Sequence, residues 1–320
     1  MAGDSERKSL LHFISVQREN LISFLRLFLE KNPEEVPIIL PPLYWVICSL
    51  DILDYKMNSS ECLSMISTIN RLRSPDHRGF SCSFLSTVPT PLATLSALQV
   101  HVLLGVFAGD ACCGLLGIQE MHSTADGRDD GAREDLRFLF ARIAGARILR
   151  RMISRNLGAT EAETAGDLLN VDLAGSCFDE ETCRFGFYPG AEPHAGAVFC
   201  GLACLGGEYV GSSKEKLTSW LRRRLKARNG RPEKFPDVCY VWWSLASLVL
   251  LQGEVGNLFQ EFSLGEFIIS CYDCETGGFA RRPREGADLF HTFAVLLLVA
   301  LLKDNLDLRV VLPKTALARL

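Results

Sequence analysis

GRPEKFPDVCYVWWSLASL, residues 230–248, joins two kinds of sequence in one stretch. Its first half sets Arg231, Lys234, Asp237, Cys239 and Tyr240 close together, and its second half is apolar almost all round with helical spacing. A helix without a polar face belongs in an interior, so the reactive groups stand at the mouth of a buried helix. A second segment of the same design follows at DLFHT, residues 288–292, where His291 opens an apolar run and a Gly277-Gly278-Phe279 turn precedes it. Asp237, Cys239 and His291 offer an oxygen, a sulfur and a nitrogen, donors that zinc accepts in tetrahedral geometry. Three protein ligands leave one position open for water or substrate, as in a catalytic site. A structural site would close its shell with four Cys or His in two close pairs, and no second pair stands beside Cys239.

Outward from this stretch, long apolar segments recur at 42–53, 92–107, 136–153, 195–205 and 290–302 as well as 238–251. Shorter two-faced segments at 60–72, 212–225 and 264–271 alternate with them, and Gly-Phe turns mark junctions at 79–80, 186–187 and 278–279. Strand signals are nearly absent. A repeat of about fifty residues built from helix pairs describes a closed or stacked array. The apolar helix of each pair faces inward and the two-faced one outward. The expected fold is all-α: an α/α barrel, or toroid, of five to six helix pairs whose inner helices point their N-terminal ends at a central apolar cavity. The segment QEMHSTADGRDDGARE, 119–134, reads as an exposed loop and 304–320 as a tail packed on the barrel or on a partner. Nothing else reads as a linker, so one domain over 1–320 is expected.

The 320 residues are 48% hydrophobic and 22% charged, enough to bury a large core. A net charge of −4 gives no bulk attraction to nucleic acid or to an anionic membrane. The start, MAGDSERKSLLHF, lacks a secretory pattern, and no apolar run reaches membrane-spanning length. Twelve cysteines in such a chain read as reduced thiols and the compartment as cytoplasmic.

With CETGGFARRP (274–283) and DLFHT, the opening stretch resembles the beta subunits of protein prenyltransferases, the Rab geranylgeranyltransferase type most closely. GAEPHAGAVFC (190–200), LYWVICSLDILD (43–54), PLATLSALQVHVLLG (91–105) and LRF (136–138) extend the similarity from about residue 40 to 303. The resemblance implies an α/α barrel bound to a separate alpha subunit, and transfer of a C20 isoprenoid from geranylgeranyl diphosphate to C-terminal cysteines of Rab GTPases presented by an escort protein. It implies zinc on Asp237, Cys239 and His291, with the substrate cysteine held as thiolate. His194, Arg231, Lys234 and Tyr240 match the diphosphate site, where cations and donors meet the developing charge. Arg231, Lys234 and Asp237, three apart, would share one side of a turn. Tyr44, Trp243 and Phe290 match the walls of the isoprenoid tunnel. Pro41 stands where farnesyltransferases carry a bulky Trp, which leaves room for C20. Arg137 matches an arginine on the peptide side, although its Arg-rich helix also suits contact with the alpha subunit.

Two departures stand out. Arg281, followed by Arg282, replaces an acidic residue that helps hold magnesium in many relatives; arginine pairs with phosphate directly, which makes magnesium dispensable. The charged 119–134 segment replaces a Gly-rich turn. The alternatives are a CaaX-type geranylgeranyl or farnesyl enzyme, and a helical barrel that has lost catalysis and only binds partners. Taken singly, Asp237 is an ordinary N-cap, Cys239 a buried thiol, His291 a core imidazole, and Tyr44, Tyr240 and Trp243 core residues. Cys271 and Cys274 have no second pair, Cys112-Cys113 and Cys200 with Cys204 read as packing thiols, and LRRRLK (221–226) as the solvated face of an outer helix.

Overall fold

The computed structural model describes residues 5–106, 135–157 and 172–320. The expected loop at 119–134 and Cys112-Cys113 lie outside them. Two helices, α1 (Ser5–Val16) and α2 (Arg18–Leu29), lead into an alternation of apolar and two-faced segments: α3 (Leu40–Ile52), α4 (Ser59–Arg71) and α5 (Pro91–Leu104). After α6 (Leu136–Leu157) and the short α7 (Asp172–Ser176) come α8 (Ala195–Leu205), α9 (Lys214–Ala227), α10 (Val238–Gln252), α11 (Leu258–Glu261), α12 (Leu264–Ser270), α13 (Leu289–Leu302) and α14 (Lys314–Leu317). Among the described residues the only strands are a two-residue antiparallel pair, Phe178–Asp179 with Arg184–Phe185.

Helix α3 packs on α5, α5 on α6, α6 on α8, α8 on α10, α10 on α13, and α13 back on α3. The inner ring therefore closes, and the fold is the α/α toroid expected from the pattern, with six inner helices. Burial follows composition: every residue of α13 from Thr292 to Leu302 is buried, whereas α9 buries only Leu217, Trp220, Leu221 and Leu225. LRRRLK is thus split between an inward face, Leu221 and Leu225, and an outward one, Arg223 and Lys226.

The junctions explain how the inner helices are oriented alike. The backbone N–H of Phe80 donates to Thr94 Oγ1 (3.0 Å), and its carbonyl accepts from the N–H of Thr90 (3.1 Å). Phe279 repeats this with Thr292 (2.9 Å) and Asp288 (3.2 Å). At the third junction the carbonyl that accepts, from His194 (3.3 Å), belongs to Phe185 rather than to the expected Gly186-Phe187 pair. Thr90, His194 and Asp288 thereby occupy one recurring position, the N-cap of an inner helix, where each side chain accepts a backbone N–H of the first turn. Asp237 caps α10 in the same way, and Asp135 accepts from the N–H of Arg137 at the start of α6 (2.8 Å). Polar caps on five of the six inner helices, all but α3, mark one end of the barrel.

The other end is closed by the C-terminal segment, which packs on the barrel. Val310 and Leu312 are fully buried, Arg319 donates to the Leu103 carbonyl (2.9 Å) and pairs with Asp51 (2.7 Å). Arg147 of α6 donates to the Ala203 and Cys204 carbonyls at the end of α8 (2.6 and 2.8 Å), so an arginine of this helix serves the barrel itself. Helices α1 and α2, which lie before the stretch carrying the resemblance, complete the outer layer. Phe13 meets Tyr272 edge to face at 5.1 Å, and the Asn20 carbonyl approaches Gly277 so closely, at φ +84°, that no side chain fits there.

None of the cysteines among the described residues is disulfide-bonded, and Cys271 is buried while Cys274 is exposed. No single helix among those residues is long and apolar enough to cross a membrane.

Candidate active site

Two N-caps bring the donor trio together. Asp237 Oδ1 accepts from the N–H of Cys239 (2.8 Å). On the neighbouring helix, Asp288 Oδ1 accepts from the N–H of His291 (2.9 Å), and its Oδ2 holds His291 Nδ1 (2.6 Å). The imidazole is thereby turned so that Nε2 stands 3.3 Å from Asp237 Oδ1. The donor atoms of Asp237, Cys239 and His291 all lie within 4.8 Å of one another. Zinc bonds of 2.0–2.3 Å require spacings of about 3.5 Å between ligands, so a contraction on the order of 1 Å completes the set. The residues fit zinc in donor chemistry and in position.

Burial and the Asp237 carboxylate push the Cys239 thiol far up. Burial opposes ionisation of Asp237, but His291 and Cys239 hold its carboxyl below the ordinary range. Burial lowers His291, and the hydrogen bonds from Asp237 and Asp288 outweigh it, raising the imidazole to about 9. The two flanking carboxylates thus favour the protonated imidazole. Asp288 was not singled out in the sequence; its spacing of three before His291, together with the helix start, was the available signal. Asp288→Asn preserves the cap but removes the charge on Nδ1. We expect zinc affinity 10–100-fold lower in chelator competition and little change in melting temperature.

Of the anion-facing candidates, His194, Arg231, Tyr240 and Arg281 gather on the same rim. His194 Nδ1 accepts from the N–H of Gly196 (3.0 Å), which leaves Nε2 to donate. Burial, reinforced by Arg231, lowers this imidazole to about 4, so at neutral pH it supplies a neutral donor and not a cation. Its ring meets Tyr240 edge-on at 5.5 Å. Gly230 makes this contact possible, since a Cβ there would stand 2.5 Å from the Tyr240 ring. Tyr240 keeps its proton, chiefly through burial and then through Cys239 and Asp237. The expected convergence of Arg231, Lys234 and Asp237 on one side of a turn is not what forms. Residues 229–237 run as an irregular loop with Glu233 at φ +63°, Arg231 pairs with Glu192, and Lys234 is exposed. The loop must leave helical geometry to let Asp237 cap α10, which breaks the spacing of three. Arg281 pairs with Glu285 (2.9 Å), which Arg282 shares (2.7 Å), and the Arg281 carbonyl accepts from the N–H of Val238, docking this loop on the start of α10.

Below the rim lies a cavity of about 240 Å³, overwhelmingly apolar. It is lined by Tyr44, Trp243 and Phe290, as expected, and by Pro41 and Arg137. Arg137 is held there by Asp135 (2.6 Å) and lies over the Phe187 ring at 4.7 Å. Trp45, Phe140, Phe199, Phe293 and Val311 are lining residues that the sequence reading did not single out. The aromatic signal was present, one to three rings in the first turns of every inner helix except α5, but core and cavity use the same residues. Phe290 lies 5.2 Å from the His291 ring, so wall and donor trio are adjacent on one helix.

A closed ring of paired helices with a trio of metal donors and a set of cations and hydrogen-bond donors above an aromatic cavity defines a class: an α/α toroid with its chemistry at the N-terminal ends of the inner helices. The family described as prenyltransferase alpha-alpha toroid domain matches residues 16–317, and the chain belongs to it. It is 31% identical to the geranylgeranyl transferase type-2 subunit beta of Saccharomyces cerevisiae over 284 residues, 82% of this chain and 81% of the relative. It is 28% identical to the protein farnesyltransferase subunit beta of Schizosaccharomyces pombe, covering 79% and 69%. Among solved structures, Candida albicans protein geranylgeranyltransferase-I complexed with GGPP aligns with a TM-score of 0.70 at 17% identity, over 94% of this chain and 97% of that one, a similarity of fold.

Proposed function

We propose that this chain, as a single domain, is the cytoplasmic catalytic beta subunit of a Rab-type geranylgeranyltransferase, working as a heterodimer with an alpha subunit on Rab tails presented by an escort protein. The observation that carries the reading is the donor trio set beside an aromatic cavity, with basic and hydrogen-bonding groups on the same rim. Zinc held by Asp237, Cys239 and His291 supplies the Lewis acidity that keeps a substrate thiol ionised at neutral pH. The cavity takes the isoprenoid and excludes water from it. At the rim the thiolate sulfur forms a bond to C1 of geranylgeranyl diphosphate as the C1–O bond breaks and diphosphate leaves with the electron pair. His194 and Tyr240 donate hydrogen bonds to that departing group, and Arg231, Lys234 and Arg281 neutralise its charge. Glu192 and Glu285 give up their arginines at this point, an exchange of exposed ion pairs that costs little.

The extent of similarity to the type-2 subunit and the small Pro41 in the wall support the C20, Rab-type assignment. The farnesyltransferase match favours a CaaX-type enzyme as the second reading. Co-expression with a candidate alpha subunit, followed by transfer of C20 or C15 to escorted Cys-Cys and Cys-x-Cys Rab tails or to CaaX peptides, decides between them. Preferential use of CaaX peptides without an escort overturns the Rab assignment. Because an arginine at 281 meets phosphate oxygens directly, EDTA-washed, zinc-reloaded enzyme is expected to keep most of its turnover without magnesium. A strict magnesium requirement in that preparation refutes the role given to Arg281.

A further inference from the structure

One lining residue of the cavity does not come from an inner helix. Among the described lining residues, only Val311 is contributed by the C-terminal segment. The others belong to the first two or three turns of the six inner helices, from Pro41 at the start of α3 to Leu297 in the middle of α13. The open space therefore stops about halfway down the barrel, and Val311 lies where it stops.

Val311 is also held in an unusual way. It adopts φ +49°, a left-handed conformation that β-branched residues avoid. The surrounding contacts impose it. Tyr44 Oη donates to the Val311 carbonyl, and Gln99 Nε2 donates to the neighbouring Val310 carbonyl (2.8 Å). Asp307 and Leu312 bridge across the turn, the N–H of Asp307 donating to the Leu312 carbonyl (2.9 Å), and Arg151 pairs with Asp307 (2.9 Å). Tyr44 and Gln99 are themselves wall residues, so the floor is bonded to the walls. A strained residue kept in place by several independent bonds at the end of a ligand cavity is a residue with a positional task.

We propose that Val311 is the floor of the isoprenoid cavity and a determinant of chain length: its side chain meets the terminal unit of the bound lipid. The inference rests on the function proposed above and adds a second point of control. Pro41 widens the cavity at the start of α3, and Val311 limits its depth from a different part of the chain.

The test uses the complete complex with its alpha subunit and measures binding of C15, C20 and C25 diphosphates by quenching of the cavity tryptophans Trp45, Trp242 and Trp243. Val311→Phe is expected to lower affinity for C20 relative to C15 by about tenfold or more, the discrimination typical of lost apolar space in a fitted pocket. Val311→Gly is expected to raise C25 affinity relative to C20, and its fold is secure because glycine is at ease at this φ. Unchanged C15:C20:C25 ratios in Val311→Gly, with wild-type thermal stability, overturn the assignment even if Val311→Phe fails to fold. A wild-type complex that binds no isoprenoid diphosphate overturns the proposed function itself, an outcome distinct from normal binding with unaltered ratios.

Discussion

Cys239→Ala, made in the complete complex, is expected to reduce bound zinc from about one per chain to near none and to lower lipid transfer by more than ~100-fold. Loss of an outer carboxylate alone already costs 10–100-fold, and here a ligand is removed. The fold is expected to survive, because Cys239 is a small buried side chain and its truncation to alanine removes a single sulfur, about 1 kcal/mol of burial. Isoprenoid diphosphate binding is expected to persist, since Cys239 is absent from the cavity lining. Metal analysis, a binding titration and a transfer assay on the same preparation separate these effects. Normal transfer by Cys239→Ala rejects the mechanism, and a wild-type chain without zinc supports a barrel that only binds partners.

Zinc loading is expected to depend steeply on pH. In metal-stripped protein, His291 is raised to about 9, and burial with Asp237 keeps Cys239 protonated well beyond neutrality. Both must lose a proton to become ligands, whereas Asp237 is held ionised. Below pH 9 each zinc therefore releases two protons, and apparent affinity rises by up to ~100-fold per pH unit. Stability of the stripped protein runs the opposite way. The folded-state His291 pKa lies above its unfolded value near 6.5, so its contribution is fully present below pH 6.5 and is lost as pH rises through 9. Chelator competition at several pH values and calorimetry in buffers of different ionisation enthalpy give the slope and the proton count. A pH-independent affinity between pH 6.5 and 8.5 would falsify this account of the trio.

Much of the site was legible because its residues are tied to helix starts. Asp237, His194 and Asp288 are caps, and a cap is a local event set by a few adjacent residues. Cys239, Tyr240 and His291 follow those caps within three positions, so their placement on the rim follows from the helix pattern. The basic residues were less legible. Arg231 and Lys234 lie in an irregular loop with a residue at positive φ, and the partners of Arg231 and Arg281, Glu192 and Glu285, are chosen by where loops meet. His194 appears basic in sequence but is neutral in place, because burial beside Arg231 acts on it only in the folded chain.

By itself the sequence determined that the protein is an array of helix pairs, apolar inside and two-faced outside, with reactive groups at the N-terminal ends of the inner helices. Those properties depend on periodicity and capping, which are encoded locally. Only the tertiary structure decided that six inner helices close on one another, that Asp237 and His291, more than fifty residues apart, come within 3.3 Å, and that the C-terminal segment enters the barrel to set Val311 beneath the cavity. These are contacts between elements distant in sequence, and they are selected by packing of the whole ring.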